Sequence, residues 1–267
     1  MKNYLNLLKI LKKNTHSGYT LVELILAAFV TVLVISAAGM GVVLMTQKNM
    51  IASADGDIKY NLGRAVDFMT EEVKTASLIR DDVSSSALTT NAANFNQSGK
   101  TVVLAIRVPG VSQDIIYYTQ APGDPWLGNL AIYRWGPPID MNGLYTNPDP
   151  ADTTKPSWRN ELLIDLIASA PLTTGCGSGG TINNTAGATT GWTQIPNSSQ
   201  QGFYVCSDNT KQTTDGNGKF VELHASASAQ NNTKSNPLSW GSGRGGDYAA
   251  SGKPTYEVIT QTYARAN

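Results

Sequence analysis

Ser17-Gly18-Tyr19-Thr20-Leu21-Val22-Glu23-Leu24 opens a run that carries no charged side chain from Leu24 to Gln47. At about 1.5 Å per helical residue this run makes roughly 36 Å of helix, enough to cross the hydrocarbon core of a bilayer with some tilt. One acid, Glu23, sits inside its front edge. The chain before it holds Lys2, Lys9, Lys12 and Lys13 but no acid. A basic leader thus meets a membrane-spanning helix, and a carboxylate stands where insertion costs on the order of 2.5–3.5 kcal/mol. An acid at such a position points to a functional site.

Two processing readings compete. In the first, residues 1–18 are the basic region of a secretory signal peptide, and Ser36-Ala37-Ala38 offers a small-x-small cleavage site. Against it, the apolar run continues through Gly41, Val42, Val43, Leu44 and Met45. That exceeds the roughly 7–15 residues of a signal-peptide core, and Glu23 stays unexplained.

The second reading rests on a resemblance. Gly18-Tyr19-Thr20-Leu21-Val22-Glu23-Leu24, heading a long apolar helix, resembles the processing motif of type IV prepilins and type II secretion pseudopilins. The resemblance implies that a prepilin peptidase cuts between Gly18 and Tyr19 on the cytoplasmic face. Tyr19 then becomes the N-methylated terminus, and Glu23, fifth in the mature chain, is the assembly glutamate. Cleavage creates an ammonium at Tyr19 that a neighbouring subunit in a helical fibre can bring to Glu23, so that each charge recovers part of its desolvation cost. The plainer alternative is that Glu23 snorkels to the interface and pairs with nothing.

Removing the leader's four lysines from the 20 basic and 20 acidic side chains of the whole leaves 16 against 20, a net charge of −4. That balance argues against nucleic acid as a partner. Lysines before the apolar run orient it with a cytoplasmic N-terminus, so the bulk of the chain lies across the membrane. The leader also carries Tyr4, Leu5, Leu7, Leu8, Ile10 and Leu11, which with its lysines suits a short amphipathic helix on an anionic membrane face.

Residues 19 to about 80 read as one helix, transmembrane over 19–47 and amphipathic over 48–82. Gly39 and Gly41 mark either a soft point or close helix packing. In the second half Ile51, Ala54, Ile58, Leu62, Ala65, Val66, Met69, Val73, Ala76 and Ile79 recur at steps of three or four, with charges between them. This stripe suits a sheet; Gly56 and Gly63 weigh against a coiled-coil seam. Arg80-Asp81-Asp82 and Ser84-Ser85-Ser86 are read as the stop.

From residue 83 to 267 turn residues rise and short β-branched runs appear. The expected strands are Thr101–Val108, Asp114–Thr119, Asn129–Trp135, Glu161–Ile167, Gly202–Ser207, Lys219–Ala225 and Tyr256–Tyr263. Val102-Val103-Leu104-Ala105-Ile106 should be central, and Glu161–Ile167 suits a short helix equally well. Long polar loops cover Thr173–Gln201 and Gln230–Lys253. The expected fold class is α+β, pilin-like, with the second half of the helix packed on an antiparallel sheet.

Cys176 and Cys206 both fall in the portion that leaves the cytoplasm, so they read as a disulfide; the alternative is two free thiols. For a loop of about 30 residues the chain-entropy model gives roughly 3–4 kcal/mol. No metal site or cofactor is expected, since the remaining soft ligands are His16 and His224 alone. His224 reads as a satisfied structural histidine. Gly241-Ser242-Gly243-Arg244-Gly245-Gly246 matches a dinucleotide fingerprint in letters only, lacking the strand before and the helix after. Asp215-Gly216-Asn217-Gly218-Lys219 is half a calcium loop and reads better as a hairpin turn, with weak calcium binding left open. Trp126, Trp135, Trp158, Trp192 and Trp240 read as packing, with a glycan platform unsupported by their spacing.

Asn61 to Ala76 looks like the second helical half of PilW-type minor pilins and J-type pseudopilins. Leu130-Ala131-Ile132-Tyr133-Arg134-Trp135-Gly136-Pro137-Pro138, ahead of Gly143-Leu144-Tyr145-Thr146-Asn147-Pro148, resembles a segment of large pseudopilins in cyanobacterial hormogonium polysaccharide secretion. Together these resemblances imply a non-enzymatic minor subunit that initiates or caps a pilus or pseudopilus. Its partners are the prepilin peptidase, other pilins through the helix, and an inner-membrane assembly platform. Before assembly it is a single-pass inner-membrane protein with a periplasmic globular domain. The rival from another class is a membrane-tethered enzyme or carbohydrate-binding module, for which no constellation of acids or metal ligands can be assembled.

Overall fold

The computed structural model describes residues 19–168, 176, 191–196, 202–208, 220–227 and 256–264. The leader with Gly18, the Asp215–Lys219 turn, and the Gly241–Gly246 loop with Trp240 lie outside the described residues. Helix α1 spans Leu21–Thr75, 55 residues. The chain forms two compact units, Met1–Ser53 and Ala54–Asn267.

In the first unit α1 is continuous through Gly39 and Gly41, and nothing among the described residues packs on either glycine. Every side chain from Tyr19 to Met50 is exposed, Phe29 and Leu33 among them. A helix that is apolar all round belongs in lipid or among other helices, not in water. Its few hydroxyls turn inward: Thr31 donates to the carbonyl of Ala27 (2.7 Å), Ser36 to Val32 (2.7 Å) and Thr46 to Val42 (2.9 Å). Such internal satisfaction is what a helix needs where no water reaches it. The helix is long and apolar enough to cross a membrane.

In the second unit the amphipathic stripe is buried from Ile58 onward, through Leu62, Ala65, Val66, Met69 and Val73; Ala54, expected in it, is exposed. The helix stops at Thr75, short of the expected 80–82. The amide of Ala76 bonds the Val73 carbonyl (3.0 Å), and that of Ser77 bonds Arg107 (2.8 Å). Strand β1, Leu78–Arg80, then pairs with β2, Thr101–Arg107. The spacing of Ala76 and Ile79 fits a helix or a strand, and the open edge of β2 decides for the strand. Ser84-Ser85-Ser86 does not merely terminate: Ser84 caps α2, Ser85–Asn91, its hydroxyl accepting from the Ala87 amide (3.4 Å).

A second correction concerns the sheet, which is not one but two. Strands β1, β2, β3 (Ile115–Gln120), β4 (Ala131–Gly136) and β5 (Arg159–Ile164) form a five-stranded antiparallel sheet in that order. Strands β6 (Trp192–Ile195), β7 (Phe203–Asp208), β8 (Phe220–Ala227) and β9 (Tyr256–Tyr263) form a four-stranded one. β6 lies inside the segment expected to be polar loop, and the alternative helix at Glu161–Ile167 is a strand. β2 is buried at five consecutive positions, as its apolar run requires. It lies against β6 and β7, and the two sheets and α1 share one core that includes Val103, Leu104, Val205 and Leu223. The sheets are stitched at Gly202, whose amide donates to Ala168 (2.7 Å) and whose carbonyl accepts from Ser226 (2.6 Å). A Cβ there would stand 2.8 Å from the Ala168 nitrogen and 2.9 Å from the Ser226 oxygen, so only glycine fits.

Candidate functional site

The head of α1 is held by Thr20 and Glu23. The Glu23 amide donates to Thr20 Oγ1, and Glu23 Oε2 accepts from both the amide and the hydroxyl of Thr20, each at 3.3 Å. This is a capping box, Thr-x-x-Glu, in which each residue satisfies the other's amide. The signal was present in the sequence and was missed. A carboxylate in the first turn also complements the positive end of the helix dipole. Oε1 accepts no hydrogen bond among the described residues, so one oxygen caps while the other is left unengaged on an exposed side chain, and Tyr19 at the same helix head is 85 % exposed.

The second half of α1 carries another acid that sequence reasoning passed over. Glu72 is buried and faces Arg134 of β4, whose exposure is 0 %. Arg134 Nη2 donates to Glu72 Oε1 (2.6 Å) and Nε to Oε2 (2.9 Å), a bidentate pair. Tyr117 donates to Oε2 and Tyr145 to Oε1 (2.8 Å). Arg134 Nη1 reaches the Pro137 carbonyl (3.1 Å) and Glu161 (3.4 Å). Burial alone would lower the Arg134 pKa, but its bonds to Glu72 and the nearby charge raise it. Burial, then the Glu72 charge, pushes Tyr117 and Tyr145 upward. A Cβ on Gly136 would sit 2.9 Å from Arg134 Nη2, so a side chain there would have to shift the guanidinium. The segments Asn61–Ala76, Leu130–Pro138 and Gly143–Pro148, read separately in the sequence, therefore meet at one buried cluster.

A comparable lock fixes the other side of the five-stranded sheet. Asp114 is fully buried, accepting from Arg107 Nε (2.5 Å) and from Arg80 Nε, while Arg80 Nη2 reaches Asn91 (2.8 Å). These contacts tie β1, β2 and the end of α2 together. Glu72, Arg134 and Asp114, at the centres of the two clusters, are buried and paired, which suits positioning rather than chemistry.

On the four-stranded sheet Cys176 and Cys206 form the expected disulfide, with Cα atoms 5.6 Å apart. Beside it His224 is buried under the ring of Tyr204, stacked at 4.4 Å and 11°. Its Nε2 lies 3.4 Å from Glu222 Oε2. Its Nδ1 makes no hydrogen bond among the described residues, so there the histidine is only half satisfied. Burial, then the Glu257 and Glu222 charges, pushes Tyr204 up to about 12. Trp135 packs on Trp158 (4.7 Å) and Trp192 on Phe220 (5.6 Å), while Trp126 is half exposed; these rings form no aligned row.

The architecture defines an α+β protein with one long apolar N-terminal helix and two antiparallel sheets. No protein-family model, curated protein or solved structure matches the chain.

Proposed function

We propose that the protein is a minor pilin or pseudopilin, a structural and non-catalytic subunit that initiates or caps a type IV pilus or a secretion pseudopilus. The observation that carries this reading is the Gly18-Tyr19-Thr20-Leu21-Val22-Glu23 motif at the head of a helix whose first half exposes apolar side chains all round. A prepilin peptidase cuts after Gly18, and Tyr19 becomes the methylated terminus. The freed ammonium of one subunit then pairs with Glu23 of the next. The geometry at the helix head supports this division of labour, since Oε2 is engaged in the cap and Oε1 is open to a cation from outside. The leader stays cytoplasmic and the domain with the disulfide is periplasmic until assembly draws the subunit into the fibre. Other pilins and an inner-membrane platform are the partners; nucleic acid is not. The finer placement within this class, in motility or polysaccharide export, rests on the resemblance of Asn61–Ala76 and Leu130–Pro148.

Mass spectrometry of the N-terminus tests the reading directly. The expected result is an N-methylated Tyr19. An intact Met1, or a start after Ala38, overturns it and leaves a membrane-anchored protein with a β-rich domain.

A further inference from the structure

The two faces of the four-stranded sheet differ in kind. Residues two apart on a strand share a face, and Phe203 and Val205 of β7 with Val221 and Leu223 of β8 join the apolar core. The opposite face presents Tyr204 and Cys206 directly across from His224 and Glu222. Cys176 arrives from outside the sheet to close on Cys206. All four potential ligands are nearly inaccessible: Cys176 1 %, Cys206 0 %, Glu222 3 % and His224 1 %.

A cystine, an imidazole and a carboxylate buried together form an unusual group for a merely structural patch. The ligand atoms of Cys206, Glu222 and His224 all lie within 4.8 Å of one another. His224 Nε2 faces Glu222 Oε2 at 3.4 Å, and Nδ1 is buried without a hydrogen-bond partner among the described residues, a cost that a packed interior rarely carries. Around these groups stand residues that orient them. Gln261 Nε2 donates to Glu222 Oε1 (2.5 Å), Tyr204 stacks on the imidazole, and Glu257 Oε1 lies 3.8 Å from Nδ1. Metal ligands are held by such outer partners.

We propose that Cys176, Cys206, Glu222 and His224 form a site for a soft divalent cation of the zinc class, and that the disulfide is the cation-free form of that same site. Two sulfurs, one nitrogen and one oxygen make a four-coordinate set that suits zinc. A tetrahedral edge in such a site is about 3.6 Å; Cys206, Glu222 and His224 close in from 4.8 Å or less, while Cys176, outside that group and tethered through Cys206, swings in as the fourth ligand once the S–S bond opens. With the disulfide intact neither sulfur is a thiolate, and the site is shut. A dithiol or phosphine reductant opens it: the S–S bond breaks and each sulfur gains one electron and one proton, the protons coming from the dithiol as it closes to its disulfide, or from one water molecule whose oxygen ends on the phosphine oxide. The cation then displaces the two thiol protons as two Cys–metal bonds form. Oxidation and metal loading are mutually exclusive states of one pair of cysteines, whatever fibre the subunit serves.

The test uses the full chain in detergent, reduced with a phosphine that is then removed anaerobically, and titrated with Co²⁺ as the spectroscopic stand-in for zinc. The expected result is one equivalent of cobalt with thiolate-to-cobalt charge transfer and the intense visible bands of a tetrahedral centre. The unreduced chain should give neither. His224→Gln and Glu222→Gln should each weaken binding roughly tenfold or more. Circular dichroism of each species reports the sheet. An octahedral spectrum in the reduced wild-type chain overturns the proposal. So does cobalt affinity unchanged in both variants, which would mean chelation by two thiolates alone. A reduced chain that loses its sheet and does not regain it on adding cobalt overturns it equally.

Discussion

At the scale of single residues, two glutamates carry most of the argument. Glu23 both caps its own helix and offers an oxygen outward, and these roles separate by mutation. Glutamine at the same position keeps a capping box but removes the charge. Glu23→Gln should therefore be cleaved normally yet enter fibres poorly, like Glu23→Ala, in a sheared-fibre assay. Normal assembly of the glutamine variant would reassign the residue to capping. Glu72 is the second. Glu72→Ala strands the Arg134 guanidinium in the core, and loss of one partner of a buried pair costs about 3–5 kcal/mol. Denaturant unfolding should register that loss, while Glu71→Ala, removing an exposed pair with Lys74, should change stability by less than about 1 kcal/mol. The sequence made Glu23 conspicuous because an acid stands out in an apolar run. Glu72 was hidden beside Glu71 among ordinary helix charges. Its position was readable all the same: it lies three residues after Met69 and four before Ala76, on the buried stripe itself. What no sequence reading could supply was its partner 62 positions away.

At the scale of elements, the strands were largely legible and their grouping was not. β-branched runs bounded by turn residues located β2, β3, β4, β7, β8 and β9 to within a few residues. β1 was absorbed into the helix because its spacing satisfies both periods, and β6 was lost because Trp192–Ile195 is four residues in a polar stretch. The division into two sheets is a matter of which edges meet, and local pattern does not encode that. The stitch at Gly202 makes the junction testable. Gly202→Ala drives a methyl group into the backbone of Ala168 and Ser226, and overpacking of this kind typically costs about 1–3 kcal/mol. Thermal melts should show that loss, whereas Gly39→Ala, in open space on α1, should be neutral or slightly stabilising.

At the scale of the whole molecule, the chain divides between a unit that hides its apolar residues and one that cannot. The Ala54–Asn267 unit holds the shared core of the described residues, whereas the Met1–Ser53 unit exposes Phe29, Leu33, Ile35 and Val43. A chain starting at Ala54 should be monomeric and folded without detergent, by size exclusion and circular dichroism. The full chain should need detergent or lipid. Retained solubility of the full chain in plain buffer would contradict a membrane-spanning first half.

The order of strands has a kinetic consequence. Among the described residues, each strand after the first of its sheet pairs with the one synthesised just before it, so the pairings are between neighbours in sequence and their loop-closure penalties modest. A polypeptide emerging amino end first can complete each sheet in the order of its arrival, presenting a single growing edge at any moment. Among the described strands, none must wait for a companion other than the next one made.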